Sequence, residues 1–157
     1  MIPLLIPGFK NDLQLEHLVV DFNGTLAIEG KLISGVKELL TGISKKLQVH
    51  VVTSDTFGTA KEQLKDIPCK VTIVEEANQD FQKGKYVAGL GSDSVISIGN
   101  GNNDRSMLQL SAIGITVIQS EGAATASITA GNLVCNSIKD ALLLIEHPKQ
   151  LIATLKS

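Results

Sequence analysis

Short apolar runs alternate along the chain with segments whose apolar residues recur every three or four positions. Residues 18–22 (Leu-Val-Val-Asp-Phe) open this alternation with a near-continuous apolar run, the pattern of a strand buried on both faces. In residues 35–47, Val36, Leu39, Leu40, Ile43 and Leu47 fall at a helical period, and Ser34 is the predicted N-cap. The same reading predicts strands over 49–53, 69–74, 95–98, 113–118 and 133–135. It predicts helices over 59–65 (ended by Pro68), 78–90 (with Gly91 as C-cap), 104–110, 122–130 and 138–155, the last with a break at Pro148. Residues 1–16 read as a small hairpin or edge strand. Repeated βαβ units with short connections predict an α/β fold: a doubly wound, three-layer α/β/α sandwich with a mainly parallel sheet. Residues 1–157 form one domain in this reading. Between the first two strands there is room for one helix and a short flap over 27–33, and none for a second domain.

Composition narrows the function classes. The 157 residues are 43% hydrophobic, which suits a globular core, and no run approaches the ~20 apolar residues of a membrane helix. Residues 1–8 are apolar, but Pro3 and Pro7 interrupt them and no basic region precedes them, unlike a signal peptide. A net charge of −2 without a Lys/Arg cluster argues against nucleic acid, and 3% aromatic content with no Trp argues against stacking platforms. Cys69 and Cys135 sit in apolar strand-like runs without metal-ligand spacing. They read as buried free thiols, which suits a reducing cytoplasm.

Candidate chemistry gathers at predicted strand ends. Asp21 closes the first apolar run, where open α/β sheets bind ligands, and a carboxylate there can attack phosphorus. Thr53, Ser54 and Asp55 end the second strand; their hydroxyls can hold phosphoryl oxygens, and equally they can cap the next helix. Lys83 and Lys85 offer a point charge to a phosphate. Residues 99–104, Gly-Asn-Gly-Asn-Asn-Asp, form a strand–turn–helix junction that lacks the third glycine of a dinucleotide site.

In this order the four segments resemble the motifs of the haloacid dehalogenase-like (HAD) superfamily over about residues 17–120. Asp21-Phe22-Asn23-Gly24-Thr25-Leu26 is similar to motif I, Thr53 to motif II, Lys83 (followed by Val87) to motif III with Lys85 as the fallback, and the 99–104 run to motif IV. Among subgroups, small soluble relatives of the P-type ATPase phosphorylation domain look nearest. The resemblance implies a HAD-like fold without a cap domain and a Mg²⁺-dependent phosphohydrolase. Its implied catalytic residues are Asp21, Asn23, Thr53, Lys83 and Asp104. Phosphate contacts fall on Phe22, Gly24, Thr25, Thr53, Ser54, Lys83 and Asn103. Metal ligands fall on Asp21, the Asn23 carbonyl, Asn100 and Asp104, although Asp104 can instead pair with Lys83.

Two departures matter. Asn23 stands where family phosphatases carry the acid/base aspartate, so slow hydrolysis or a persistent phosphoenzyme is expected. Asn100 replaces a metal-binding aspartate, so weaker Mg²⁺ binding is expected. Without a cap, a phosphorylated substrate of unspecified identity meets an open site that a second copy of the chain could cover. The competing reading is a catalytically weakened regulatory or binding module on the same scaffold. A response-regulator-like phosphoacceptor fits less well: it would carry an acidic pair near the first strand, and only Asp12 and Glu16 precede Asp21, neither at a strand end. His17, His50 and His147 are assigned structural places.

Overall fold

The computed structural model describes residues 1–157. The first two strands, β1 (Ile2–Leu4) and β2 (Leu13–Leu15), pair antiparallel with Ile2 opposite Leu15. They form the hairpin expected in residues 1–16, and their inward side chains join the main core. The central sheet contains β3 (His17–Val20), β6 (Gln48–Thr53), β7 (Lys70–Ile73), β8 (Val95–Gly99), β9 (Ile113–Val117) and β10 (Leu133–Cys135). Its six strands run in the order β10-β9-β8-β3-β6-β7, and every neighbouring pair is parallel.

Helices cover both faces: α1 (Val36–Ile43), α2 (Ala60–Leu64), α3 (Gln79–Leu90), α4 (Arg105–Leu110), α5 (Thr125–Ala130), α6 (Ile138–Glu146) and α7 (Pro148–Leu155). Alternation along the strands divides the core between the two faces. Leu18, Val20, Val51, Ile96, Ile98 and Ile115 point into the larger cluster with α1 and α6, whereas Val19, Val52 and Val95 meet Val87, Met107 and Leu108 of α3 and α4. This is the expected doubly wound sandwich, and it explains the apolar runs of β3, β6, β8 and β9, the inner strands, which are covered twice. No helix is long and apolar enough to cross a membrane.

The structure corrects several predicted boundaries. The N-cap position of α1 is Gly35, in a left-handed conformation (φ 88°), and no side chain caps the helix, so Ser34 does not have the predicted role. The helix stops at Ile43 and a turn carries the chain to Leu47, with the Ser44 hydroxyl donating to the Thr41 carbonyl. The predicted 104–110 helix begins as a 3₁₀ turn over Asn102–Asp104, and the 122–130 helix is shortened to α5. The closing helix is broken at Pro148, which lacks an N–H for the preceding turn and starts α7 instead.

The flap is a hairpin of β4 (Ala27–Ile28) and β5 (Lys31–Leu32), turning through Glu29 and Gly30, both with positive φ. It is pinned at both sides. The Thr59 hydroxyl donates to the Gly30 carbonyl at 2.6 Å, and the Leu32 N–H donates to Gln63 Oε1 at 2.9 Å.

Candidate active site

The strand order places the predicted motifs side by side. β3 is central, with β6 on one side and β8 on the other, so residues following Val20, Val51 and Ile98 emerge at one edge. The chain leaves β3 for β6 on one side and returns to β8 on the other, a crevice where such sheets bind ligands.

Asp21 continues the sheet, its N–H donating to the Ile98 carbonyl at 3.0 Å. The loop then tightens: the Phe22 carbonyl accepts from the N–H groups of Thr25, Leu26 and Ala27. Gly24 sits at φ 78°, and a Cβ there would lie 2.7 Å from Asn100 Nδ2, so only glycine fits this approach. Phe22, expected to touch phosphate, has its side chain fully buried in the main core, leaving only its backbone at the site. Thr25 is also buried, with its hydroxyl donating to Asn100 Oδ1 at 3.3 Å.

Lys83 joins the segments. It lies on the inner side of α3 with Val87, is fully buried, and donates to Asp21 Oδ1 and Asp104 Oδ1 at 2.8 Å each. Lys85, the fallback, is exposed. The other Asp104 oxygen accepts from the Asn100 and Gly101 N–H groups at 2.9 and 3.0 Å. Both oxygens of Asp104 are therefore committed to protein donors, and of its two anticipated roles the geometry has the Lys83 pairing. Gly99 makes room for this carboxylate, because a Cβ there would lie 2.5 Å from Asp104 Cγ.

The electrostatics are unbalanced. One buried ammonium faces two buried carboxylates. Burial, then the negative charge of Asp104, push the Asp21 carboxyl up to about 7, and Lys83 only partly offsets them. The two carboxylates hold Lys83 protonated, well above its ordinary range, against the opposing effect of burial.

Thr53, at the end of β6, is 2% exposed, and its oxygen accepts from the Asp55 N–H at 2.9 Å, leaving its own proton free to donate. Asp55 caps α2, accepting from the Thr59 and Ala60 N–H groups, so the capping role and the strand-end hydroxyl coexist in this segment. Ser54 lies beside Thr56 at 3.5 Å. Asn103 turns its amide to Gln79 Oε1 at 2.8 Å, so its side chain ties the turn to α3. Asn100 uses both amide ends, accepting from Thr25 and donating to the Gly122 carbonyl at 3.1 Å. The two polar atoms of the Asn23 amide, by contrast, are buried with no hydrogen-bond partner.

Gln119 is a residue that sequence reasoning missed. Its Nε2 donates to the Gly24 and Thr25 carbonyls at 3.0 and 2.9 Å, and its Oε1 accepts from the Ile138 N–H at 2.8 Å. It clamps the loop after Asp21 to the start of α6. Its only sequence signal is a polar residue directly after an apolar strand.

No group of three His, Cys, Asp or Glu side chains converges anywhere in the chain, so a cation here would rest on one carboxylate with amide and backbone oxygens. The largest cavity, about 580 Å³, opens at the opposite end of the strands beside Met1, Lys46 and Lys70. None of the cavities is lined by Asp21, Thr53 or Lys83.

The fold is like that of several solved phosphatases. The cobalt-bound deoxy-D-mannose-octulosonate 8-phosphate phosphatase of Haemophilus influenzae superposes with a TM-score of 0.71 over 92% of this chain and 94% of its own, at 12% identity. The corresponding Moraxella catarrhalis enzyme, in complex with magnesium, phosphate and KDO, superposes at 0.65 over 90% and 94%, at 14% identity. An apo phosphoserine phosphatase superposes at 0.66 over 85% and 99%, at 10% identity. No family sequence profile matches the chain. By sequence, the chain belongs to the same family as the uncharacterized protein MJ0073 of Methanocaldococcus jannaschii, to which it is 36% identical over 85 residues, covering 54% of this chain and 82% of that protein. The uncharacterized protein MJ0072 of the same organism is 38% identical over 39 residues, 25% of this chain and 89% of its own length.

Proposed function

We propose that the chain is a Mg²⁺-dependent phosphohydrolase or phosphotransferase that works through an aspartyl phosphate on Asp21. The observation that carries this reading is Lys83, a buried ammonium held at 2.8 Å from Asp21 and from Asp104 at the edge where parallel sheets bind ligands. In this role Asp21 attacks phosphorus, Lys83 neutralises the approaching anion, and the Thr53 hydroxyl donates to a phosphoryl oxygen. Asp104 is a positioning residue that fixes Lys83 and the turn at Asn100.

The donor set fits a hard divalent cation: the Asp21 carboxylate, the Asn23 carbonyl and Asn100 Oδ1 are all oxygens. The excess of one negative charge among the buried groups supports a cation as well. Bound Mg²⁺ would supply charge neutralisation at the phosphoryl oxygens. The phosphatases of like fold from Haemophilus and Moraxella were crystallised with cobalt and magnesium. Asn23 can neither accept nor deliver the proton that activates water, so the phosphoenzyme is long-lived, which supports placing the chain with the soluble P-type ATPase-like subgroup.

The test is incubation with Mg²⁺ and acetyl phosphate or p-nitrophenyl phosphate, following intact mass and released phosphate, with Asp21→Asn as control. The expected result is an Asp21-dependent adduct that outlasts its formation. A folded protein with neither adduct nor turnover is the result expected of a regulatory or binding module. One observation favours that second reading: both ends of the Asn100 amide are engaged by the protein, as a structural lock requires.

A further inference from the structure

Transfer of a phosphoryl group to Asp21 requires the leaving oxygen to depart with its electron pair. An alkoxide departs readily only when a proton reaches it in the transition state, whereas a carboxylate departs without one. The groups around Asp21 have no proton to deliver. Lys83 is fully buried and shared between two carboxylates that hold it charged. Asp104 accepts three hydrogen bonds and is an acceptor at both oxygens. Asp55 accepts two backbone N–H groups at the start of α2. Glu29, at the tip of the flap, is exposed to water.

The histidines lie elsewhere. His17 and His50 bond to each other at 3.1 Å, with His50 bonded to Tyr86 at 2.8 Å, and His147 separates α6 from α7. Two positions after Asp21 the chain carries the Asn23 amide, whose buried polar atoms have no partner in the protein. A buried amide left unpaired is costly, and a ligand oxygen relieves the cost. It can hold such an oxygen but cannot protonate it.

We infer that the phosphoryl donor for this site is one whose leaving group is already a stable anion, as in an acyl phosphate or a phosphoanhydride, and not an alkyl phosphate ester. The inference rests on Asp21 being the nucleophile. With an acyl phosphate, an Asp21 oxygen bonds to phosphorus, the bond from phosphorus to the acyl oxygen breaks, and its electron pair leaves as the free carboxylate. No proton moves. The same step on an alkyl ester would release an alkoxide, for which the site has no acid.

The experiment measures the rate of phosphoenzyme formation by quenched intact mass, with Mg²⁺ and four donors: acetyl, p-nitrophenyl, phenyl and ethyl phosphate. The rates are expected to fall steeply along that series as the leaving group becomes more basic. Asn23→Asp is expected to raise the ethyl-to-acetyl ratio by about 10²–10⁴-fold, the ordinary contribution of a general acid. Ethyl phosphate reacting within about tenfold of acetyl phosphate in the wild-type protein would overturn the inference, as would a ratio unmoved by Asn23→Asp. The wild-type series decides the matter even if the variant does not fold. No adduct from any donor would refute the Asp21 nucleophile itself, a separate failure, because acetyl phosphate needs no acid.

Discussion

Replacing Asp21 by Asn should stabilise the protein. Burial and the neighbouring Asp104 raise the Asp21 carboxyl from 3.8 to about 7, despite the bond from Lys83. Between these values the unfolded chain has released the proton and the folded chain retains it. The folded state therefore binds more protons, and its stability falls as pH rises through that window. A shift of about three pKa units corresponds to roughly 4 kcal/mol opposing the fold once pH exceeds 7, at ~1.4 kcal/mol per unit. Asparagine, like the protonated acid, is neutral and still accepts from Lys83, so Asp21→Asn removes this penalty. Denaturant unfolding in EDTA at pH 8 should show a gain of up to about 4 kcal/mol, or roughly 10 °C in Tm for a chain of this size. The gain should vanish near pH 4. Mg²⁺ should stabilise the wild-type protein at pH 8 and leave the variant unmoved. A variant less stable than wild type at pH 8, or a gain that does not change with pH, would refute the charge argument.

The remaining predictions concern the scaffold. Burial, followed by the charges of His17 and Lys70, holds His50 near 4 instead of 6.5. Its contribution to stability is present above pH 6.5 and is lost as pH falls toward 4, because the unfolded chain takes up the proton first. NMR titration of the imidazole checks this, and a midpoint above 6 would contradict it. Asp104→Ala leaves Lys83 with one partner and the Asn100 and Gly101 N–H groups unpaired, so equilibrium unfolding should show a loss of about 3–5 kcal/mol. Wild-type stability in that variant would mean the turn does not depend on the carboxylate. Gly114→Ala should cost about 1–3 kcal/mol, since the new Cβ would lie 2.3 Å from the Leu108 carbonyl oxygen; an unchanged denaturation midpoint would count against that packing.

Much of the architecture was legible because the four inner strands of the sheet, β3, β6, β8 and β9, are buried on both faces. Such strands must be apolar throughout, so their ends stand out where polar residues begin, and Asp21, Thr53 and Gly99 were all visible in this way. Helix ends were less legible. Ser34 had the chemistry of a cap, yet Gly35 supplied the left-handed turn, which depends on where the β4–β5 hairpin delivers the chain. Phe22 shows what a motif leaves open: its place suggested contact with phosphate, and the fold sends its side chain into the core, so only its backbone is offered to the site.

The sequence by itself determined the alternation of strands and helices, and with it the set of strand ends carrying chemistry, because burial on two faces is a local pattern of side chains. Only the tertiary structure decided which of those ends meet. The strand order sets β3 between β6 and β8, the inner side of α3 selects Lys83 over Lys85, and a bond spanning 21 residues commits Asp104 to that lysine. It also decided that Gln119 clamps the Asp21 loop while the Asn23 amide stays unpaired. Hydrogen bonds and charge pairs of this kind depend on distances between segments remote in the chain, which local periodicity does not encode.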